Sequence, residues 1–144
     1  MAVRSLSIAA LVACTTLLGA CATTRMSEVE KLSLYRSHAG EPLRSIRYTD
    51  PISWEKVDDQ HLLLTLRPRE AYLLGIDGPC LDWGGASPAI GISSQAGVVS
   101  ARFDRISVPD VPGGCRIREI RRVDIGAVRE ARQQRDAAMA AGSA

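Results

Sequence analysis

The chain has 144 residues and a formal net charge of +2 at pH 7, a length that suits one domain and leaves no room for a second of ordinary size. Arg4 is the one charged residue among the first twenty, so the chain from Cys21 onward holds 17 basic and 16 acidic residues. This near balance gives the protein no general attraction to nucleic acid.

The first twenty residues have the anatomy of a secretory signal peptide. Arg4 supplies a positive charge, an apolar run covers residues 6–18, and the small residues Gly19 and Ala20 follow. The run is roughly 13 residues long, whereas a membrane-spanning helix needs about 20. We therefore expect residues 1–20 to be removed.

The four residues Leu18-Gly19-Ala20-Cys21 resemble a lipobox, which predicts that Cys21 is lipidated at the start of a linker, residues 21–27. Several acyl chains on one residue anchor a protein stably. Ala22 is not the aspartate associated with inner-membrane retention, so the outer membrane, facing the periplasm, is favoured. The alternative is an ordinary leader cut after Ala20, with Cys21 a free thiol.

Cysteine usage indicates the same compartment. Cys14 leaves with the leader and Cys21 takes the lipid, so Cys80 and Cys115 remain. In an oxidising periplasm these two predict one disulfide, which would stabilise the fold by about 4 kcal/mol. The alternative is a pair of buried thiols, and a metal site does not suit two cysteines so far apart without further ligands nearby.

The first element predicted after the linker is a short helix over residues 28–38. Ser27 and Glu30 have the spacing of a capping box, and Gly40 is a natural terminator. Val29, Leu32 and Tyr35 follow at helical spacing, so we expect this face to pack on the rest of the domain.

Residues 43–123 consist of short apolar segments separated by proline, glycine and aspartate, which is typical of an all-β unit. The predicted strands cover residues 45–48, 53–57, 62–66, 71–76, 89–93, 97–101, 103–108 and 116–123. Turns are expected at Asp58-Asp59 and at 95–97. The apolar residues of the last strand share one phase only if a β-bulge lies at Arg118-Glu119; a helix is the alternative there.

The predicted fold is mainly β, a small antiparallel barrel or sandwich over residues 28–125 with a short N-terminal helix. The tail, residues 126–144, is alanine-rich but has no apolar face beyond Val128, which favours a frayed tail over a helix. The aromatic residues expected in the core are Trp54, Tyr72, Trp83 and Phe103.

The sequence offers few candidate catalytic or metal-binding residues. Asp58, Asp59 and His61 could bind a cation, but a polar hairpin turn is favoured, because adjacent side chains in a turn point apart. Ser93-Ser94 lacks the G-x-S-x-G context of an activated serine.

Three aspartates could form a carboxylate pair of the glycosidase kind if they met: Asp77, Asp82 and Asp104. We expect instead that Asp104 hydrogen-bonds a turn. The sequence therefore predicts no catalytic residue, metal site or cofactor, and a protein that is not an enzyme.

Arginines crowd the last strand and the tail: Arg116, Arg118, Arg121, Arg122, Arg129, Arg132 and Arg135. A solvated face is the ordinary interpretation. The sharper hypothesis is that Arg116, Arg118, Arg121 and Arg122 contact an envelope protein or anionic lipid.

A set of short motifs resembles a family of small proteobacterial envelope proteins catalogued as a domain of unknown function, of the DUF6491 type. The motifs are Ala39-Gly40-Glu41-Pro42, Trp54, Asp58-Asp59, Ala71-Tyr72-Leu73-Leu74, Pro79-Cys80, Phe103-Asp104 and Cys115-Arg116-Ile117. The resemblance covers roughly residues 30–125. It implies secretion and a paired Cys80 and Cys115, and it implies no activity.

We therefore expect a lipid-anchored protein of the bacterial cell envelope with a non-catalytic structural or binding role. One alternative is an inhibitor of a lytic enzyme such as a lysozyme, which would need an exposed reactive loop, for which Ser93-Ser94-Gln95 is the candidate. The other is an envelope hydrolase, which would need His61 and the aspartates to converge.

Overall fold

The computed structural model describes residues 26–81, 89–109 and 112–142. The predicted leader, the predicted lipidation site Cys21, Asp82 and Trp83 lie outside the described residues.

Within these residues the chain forms a short helix, a series of strands and a second helix. The helices are α1 (Glu28–Ser37) and α2 (Ile125–Gly142). The strands are β1 (Ala39–Leu43), β2 (Ser45–Arg47), β3 (Ser53–Asp58), β4 (His61–Arg67), β5 (Glu70–Asp77), β6 (Gly91–Ile92), β7 (Val98–Ser100), β8 (Arg105–Ser107) and β9 (Cys115–Val123).

The strands form an antiparallel sheet that curls into a half-barrel, with the order β3-β4-β5-β9-β8-β6. Strand β1 also pairs with β9, and β2 pairs with β7 in a separate two-stranded sheet. The prediction of a mainly β, antiparallel fold is confirmed, and each of the eight predicted strands has a counterpart. Strand β1 was missed, because Gly40 and Pro42 are poor strand residues that a sheet accepts near its edges.

The sheet is buried on both faces. One face carries Leu62, Leu64 and Leu74 and is covered by Ile46 of β2 and Val99 of β7. The other face forms a second apolar cluster with the helices, made of Tyr35, Val57, Leu63, Ala71, Leu73, Val123 and Val128. Strands β4 and β5 can therefore be apolar along nearly their whole length.

Helix α1 has the predicted capping box. Glu30 N–H donates to the Ser27 hydroxyl at 3.2 Å, and Ser27 N–H donates to the Glu30 carboxylate at 2.9 Å. Tyr35 is buried, but Val29 is 79% exposed, so the prediction that Val29 packs inward is wrong. Six positions along a helix correspond to a rotation of about 120°, which turns Val29 away when Tyr35 faces the sheet.

The predicted bulge in β9 is confirmed. Gly75 pairs with Glu119 and Ile76 pairs with Ile117, which leaves Arg118 as the additional residue. The bulge restores the phase of the strand, so that Ile117 and Ile120 are both fully buried.

The tail adopts the helical alternative rather than the favoured frayed state. Asp124 begins the helix, because its carboxylate accepts a hydrogen bond from Ala127 N–H at 3.1 Å. Val128 is buried, and the Arg132 guanidinium donates to the Tyr35 hydroxyl at 2.6 Å. This polar contact continues the docking of α2 beyond its one buried apolar residue.

The expected aromatic core is only partly present. Tyr72 is buried and Trp54 packs partly buried against the core, but Phe103 is 85% exposed. The prediction for Phe103 is wrong because the residue lies in the turn after β7. The buried residue of β8 is Ile106.

Candidate functional site

The disulfide joins Cys80, just after β5, to Cys115 at the start of β9, with the Cα atoms 5.8 Å apart. Both cysteines are buried, so the predicted pairing is confirmed and the alternative of free thiols is wrong. Gly78 makes the close approach possible, since it has φ of 106° and a Cβ there would lie 2.9 Å from the Cys115 sulfur.

His61 lies between an acid and a base, and it is only 7% exposed. Its Nδ1 is 2.8 Å from Asp58 Oδ1, and its Nε2 is 3.0 Å from the Arg36 guanidinium. A guanidinium can only donate, so Nε2 must accept and the Nδ1–H donates to Asp58. Both ring nitrogens of His61 are therefore engaged by neighbouring side chains.

This arrangement fits the polar turn rather than a ligand set. Asp58 Oδ1 also accepts from Gln60 N–H at 2.8 Å, the pattern of an Asx turn. Among the residues that the structure describes, no group of three or more histidine, cysteine or carboxylate side chains is placed to hold a metal ion. A general base would need Nε2 free, and Arg36 occupies it.

Asp104 hydrogen-bonds a turn, as predicted. One carboxylate oxygen accepts from the Ser93 hydroxyl at 2.7 Å and the other from Ser100 N–H at 2.6 Å. The Ser93 hydroxyl in turn accepts from Arg105 N–H at 2.9 Å. Ser93 is therefore part of a structural network, whereas Asp77 bonds Arg118 at 3.2 Å, so these two aspartates have separate partners.

The most distinctive surface feature is a groove of about 790 Å³ between the end of β1 and the turn that joins β7 to β8. We call it the arginine groove. Its charged and large apolar lining residues are Leu43, Arg44, Arg102, Phe103, Arg118, Glu119 and Arg121.

The groove exists because β9 has two successive partners along one edge. Strand β1 pairs with its far end, where Leu43 lies opposite Ile120, and β8 pairs with its beginning, where Ile106 lies opposite Cys115. Between them Arg102 N–H bonds the Ile117 carbonyl at 2.7 Å. Arg118, the additional residue of the bulge, lines this gap, and its guanidinium lies on the other side of β9, over Gly75 and Asp77 of β5.

In the part of the chain that the structure describes, four arginines and one acidic residue line the groove. Arg121 bonds Glu119 and also donates to the Gly40 carbonyl at 3.1 Å, and Arg118 bonds Asp77. Within the described ranges, the guanidinium groups of Arg44 and Arg102 have no hydrogen-bond or ion-pair partner. The arrangement therefore offers two free cationic side chains to an anionic ligand.

The structure separates the four arginines that were predicted to act together. Arg118 and Arg121 line the groove. Arg116 pairs across strands with Arg105 in another cleft, and Arg122 lies opposite Tyr72. Neighbouring residues of a strand point to opposite faces of the sheet. Arginines that are close in the sequence therefore lie in three separate places on the surface.

Sequence reasoning missed Arg44, Arg102 and Phe103 as members of this site. Arg44 comes from the link between β1 and β2, far along the chain from β9. The one available signal was Arg102, a charged residue between the predicted strands 97–101 and 103–108, next to Phe103 at the start of the second.

A second polar cluster joins both helices to the sheet. The Tyr35 hydroxyl donates to Glu55 at 2.7 Å, and Arg132 lies over the Tyr35 ring at 5.3 Å from its centroid. Burial, followed by the Glu55 carboxylate, raises the pKa of Tyr35 well above its ordinary value. The cluster is a structural clamp rather than a reactive site, because the hydroxyl is held between a donor and an acceptor.

Comparison with known proteins identifies a family and no function. A family model described as a family of unknown function (DUF6491) matches residues 4–139, a longer stretch than the resemblance noted from the motifs. No curated protein and no solved structure matches the chain. In the described part of the chain, neither helix combines the length and the apolar character needed to cross a bilayer.

Proposed function

The chain belongs to the DUF6491 family of unknown function, and we propose that it is a lipid-anchored, non-catalytic binding protein of the bacterial cell envelope. In this proposal Cys21 carries the lipid, and the anchor lies in the outer membrane facing the periplasm. Residues 1–20 act as the leader, and residues 21–27 connect the anchor to the folded domain.

The observation that carries the proposal is the buried disulfide between Cys80 and Cys115. Disulfides of this kind persist in oxidising compartments and are rare in the cytosol. The bond supports export of the domain, and the lipobox-like residues 18–21 supply the reason for a membrane anchor.

The binding role rests on how the polar side chains are used. His61 has both ring nitrogens engaged by Asp58 and Arg36, and Asp104 is bonded to Ser93 and Ser100. These bonds stabilise turns and hold both side chains in structural contacts. The arginine groove, by contrast, has an exposed aromatic ring, that of Phe103, and two guanidinium groups without a partner among the described residues, those of Arg44 and Arg102. Both features suit recognition.

No specific observation favours either alternative function. The segment considered as an inhibitory loop is a tight turn, in which Gln95 and Val98 exchange backbone hydrogen bonds of 3.0 Å, and Ser93 is bonded to Asp104. The hydrolase alternative needs His61 with a free Nε2.

Intact-mass analysis of the mature protein extracted from membranes tests the proposal. We expect a chain that begins at Cys21 and carries acyl mass, with a gain of about two mass units on reduction of the disulfide. A Cys21→Ala variant should lose the acyl mass, whereas Cys14→Ala, a matched change inside the leader, should not. A wild-type chain without acyl mass would contradict the anchor.

A further inference from the structure

We propose that the arginine groove docks on a membrane surface rich in anionic phospholipid, with Phe103 inserted between headgroups and with Arg44 and Arg102 bound to their phosphates. The inference deepens the proposed function and rests on it, because lipidation at Cys21 would hold the domain close to a bilayer. The groove then becomes a second point of attachment that sets the orientation of the domain.

The first argument is the position of Phe103, the single phenylalanine of the chain. Its side chain is 85% exposed, although the turn that carries it is firmly held. Asp104 N–H donates to the Ser100 carbonyl at 3.0 Å, and the Asp104 carboxylate accepts from Ser100 N–H. A rigid turn that presents an aromatic ring to solvent is suited to inserting that ring into an apolar phase, because little conformational entropy is lost.

The backbone of the neighbouring residue supports this interpretation. Arg102 has φ of 72°, a conformation that most residues other than glycine avoid. The strain is maintained by the bond from Arg102 N–H to Ile117. Non-glycine residues in such conformations are concentrated at binding sites, and here the conformation places an arginine and a phenylalanine side by side at the groove.

The second argument is charge complementarity. Among the described residues, four arginines line the groove against one carboxylate, that of Glu119, which is already bonded to Arg121. The guanidinium of Arg118 lies over β5, where it bonds Asp77. Arg44 and Arg102 have no partner among the described residues. A guanidinium presents a planar fork of donors that matches a phosphate, and basic side chains next to an anionic leaflet are attracted to it.

A bilayer fits the groove better than a protein partner. Its large exposed apolar side chains are Phe103 and Leu43, too few for the apolar centre of a protein interface. A few apolar side chains surrounded by basic ones are sufficient for attachment at a lipid interface.

The anchor and the groove can reach one surface. Helix α1 starts near β3, where Lys31 contacts Lys56 and Glu55, and it ends beside β9, where Asp124 N–H bonds the His38 carbonyl at 3.0 Å. The groove lies beyond β9, about four strand spacings or roughly 19 Å from β3. A seven-residue linker over residues 21–27 can extend about 24 Å, which permits both attachments together.

The test uses the mature lipidated protein inserted in phosphatidylcholine vesicles, with or without phosphatidylglycerol. In a Phe103→Trp variant, the emission in excess of the wild type reports on position 103. We expect this emission to shift to shorter wavelength and to be quenched at least twofold by lipids brominated on their acyl chains, in vesicles that contain phosphatidylglycerol. Vesicles of phosphatidylcholine alone should give little quenching.

The control variants distinguish an effect of the groove arginines from an effect of the net charge of the protein. Arg44→Glu with Arg102→Gly in the Phe103→Trp background should abolish the quenching. Arg67→Glu with Arg69→Gly changes the net charge equally at a distant turn and should retain it. Thermal unfolding of each variant checks that the domain is folded.

Two results would overturn the inference. One is emission of Phe103→Trp that is equally unquenched in both kinds of vesicle while the mass shows intact acylation. The other is a photoreactive residue at position 103 that cross-links in cells to a protein rather than to lipid. Failure of the anchor has a different signature, namely absence of acyl mass, and in that case vesicles added to the soluble protein still test the groove.

Discussion

The backbone N–H of Arg102 donates a 2.7 Å hydrogen bond to the carbonyl oxygen of Ile117, which fastens the turn after β7 to the first half of β9. Ile117 is fully buried, so the turn is attached to the core although its two side chains, Arg102 and Phe103, line an open groove. The turn is therefore held by its backbone and by the Asp104 carboxylate, which leaves the side chains of Arg102 and Phe103 exposed at the groove.

Replacing Arg102 by glycine should stabilise the domain. The substitution relieves the left-handed backbone conformation of Arg102, and we expect the free energy of unfolding to rise by about 1 kcal/mol. Urea denaturation of purified protein measures the change. Ala96, with φ of 51°, offers a matched control, since Ala96→Gly should stabilise by a similar amount without altering the groove.

The opposite substitution sharpens this prediction. Arg102→Val places a β-branched side chain in the same conformation and should lower stability. If Arg102→Gly were instead less stable than the wild type, the arginine side chain would have to make a stabilising contact that outweighs the backbone strain.

Removal of the disulfide should be strongly destabilising. A Cys80→Ala and Cys115→Ala double variant should lose about 2–5 kcal/mol of unfolding free energy, because the unfolded chain is no longer constrained. Urea denaturation with and without reductant measures this. The wild type in reductant should approach the stability of the variant, and the variant should be insensitive to reductant. A wild type indifferent to reductant under denaturing conditions would argue against the bond.

The protonation state of His61 is open to direct measurement. Because Arg36 donates to Nε2, nitrogen-15 NMR should find the proton on Nδ1 and an unprotonated Nε2. Arg36→Met removes the donor and should cost about 1 kcal/mol in unfolding free energy. Arg67→Met, at the exposed last residue of β4, is the control and should be nearly neutral. A proton on Nε2 in the wild type would contradict the assigned arrangement.

Tyr35 should make the domain sensitive to alkali. Burial raises the pKa of Tyr35 in the folded state, so the folded chain retains a proton that the unfolded chain releases above about pH 10. The stabilising contribution is therefore complete below pH 10 and is lost as pH rises beyond it. Urea denaturation between about pH 8 and about pH 11, on either side of the ordinary tyrosine pKa of about 10, should show the free energy of unfolding falling with pH.

Two tyrosine-to-phenylalanine variants test whether Tyr35 causes the loss of stability at alkaline pH. Tyr35→Phe should flatten the alkaline decline. Tyr48→Phe should flatten it less, because burial raises the pKa of the Tyr48 hydroxyl without the added bond to a carboxylate that Tyr35 has. Equal slopes for the wild type and Tyr35→Phe would show that the decline has another source.

Local chemistry explains which features could be predicted from the sequence. The capping box at Ser27 and Glu30 and the bulge at Arg118 each depend on residues within a few positions of one another, so spacing alone identifies them. The pairing of Cys80 with Cys115 followed from elimination among four cysteines. Strand β1 was missed for the complementary reason: Gly40 and Pro42 have low strand propensity, and only pairing with β9 stabilises the extended conformation.

The sequence by itself determined the antiparallel β character and the turns, because hydrophobic alternation and turn residues act over a few neighbouring positions. It also determined the disulfide, because only two cysteines remain once Cys14 and Cys21 are assigned to the leader and the lipid. The tertiary structure alone decided the groove, because Arg44, Arg102 and Arg118 come from three segments that meet only where β1 and β8 share the edge of β9. It also decided that Phe103 faces solvent, since a strand pattern cannot show where one strand ends and its turn begins.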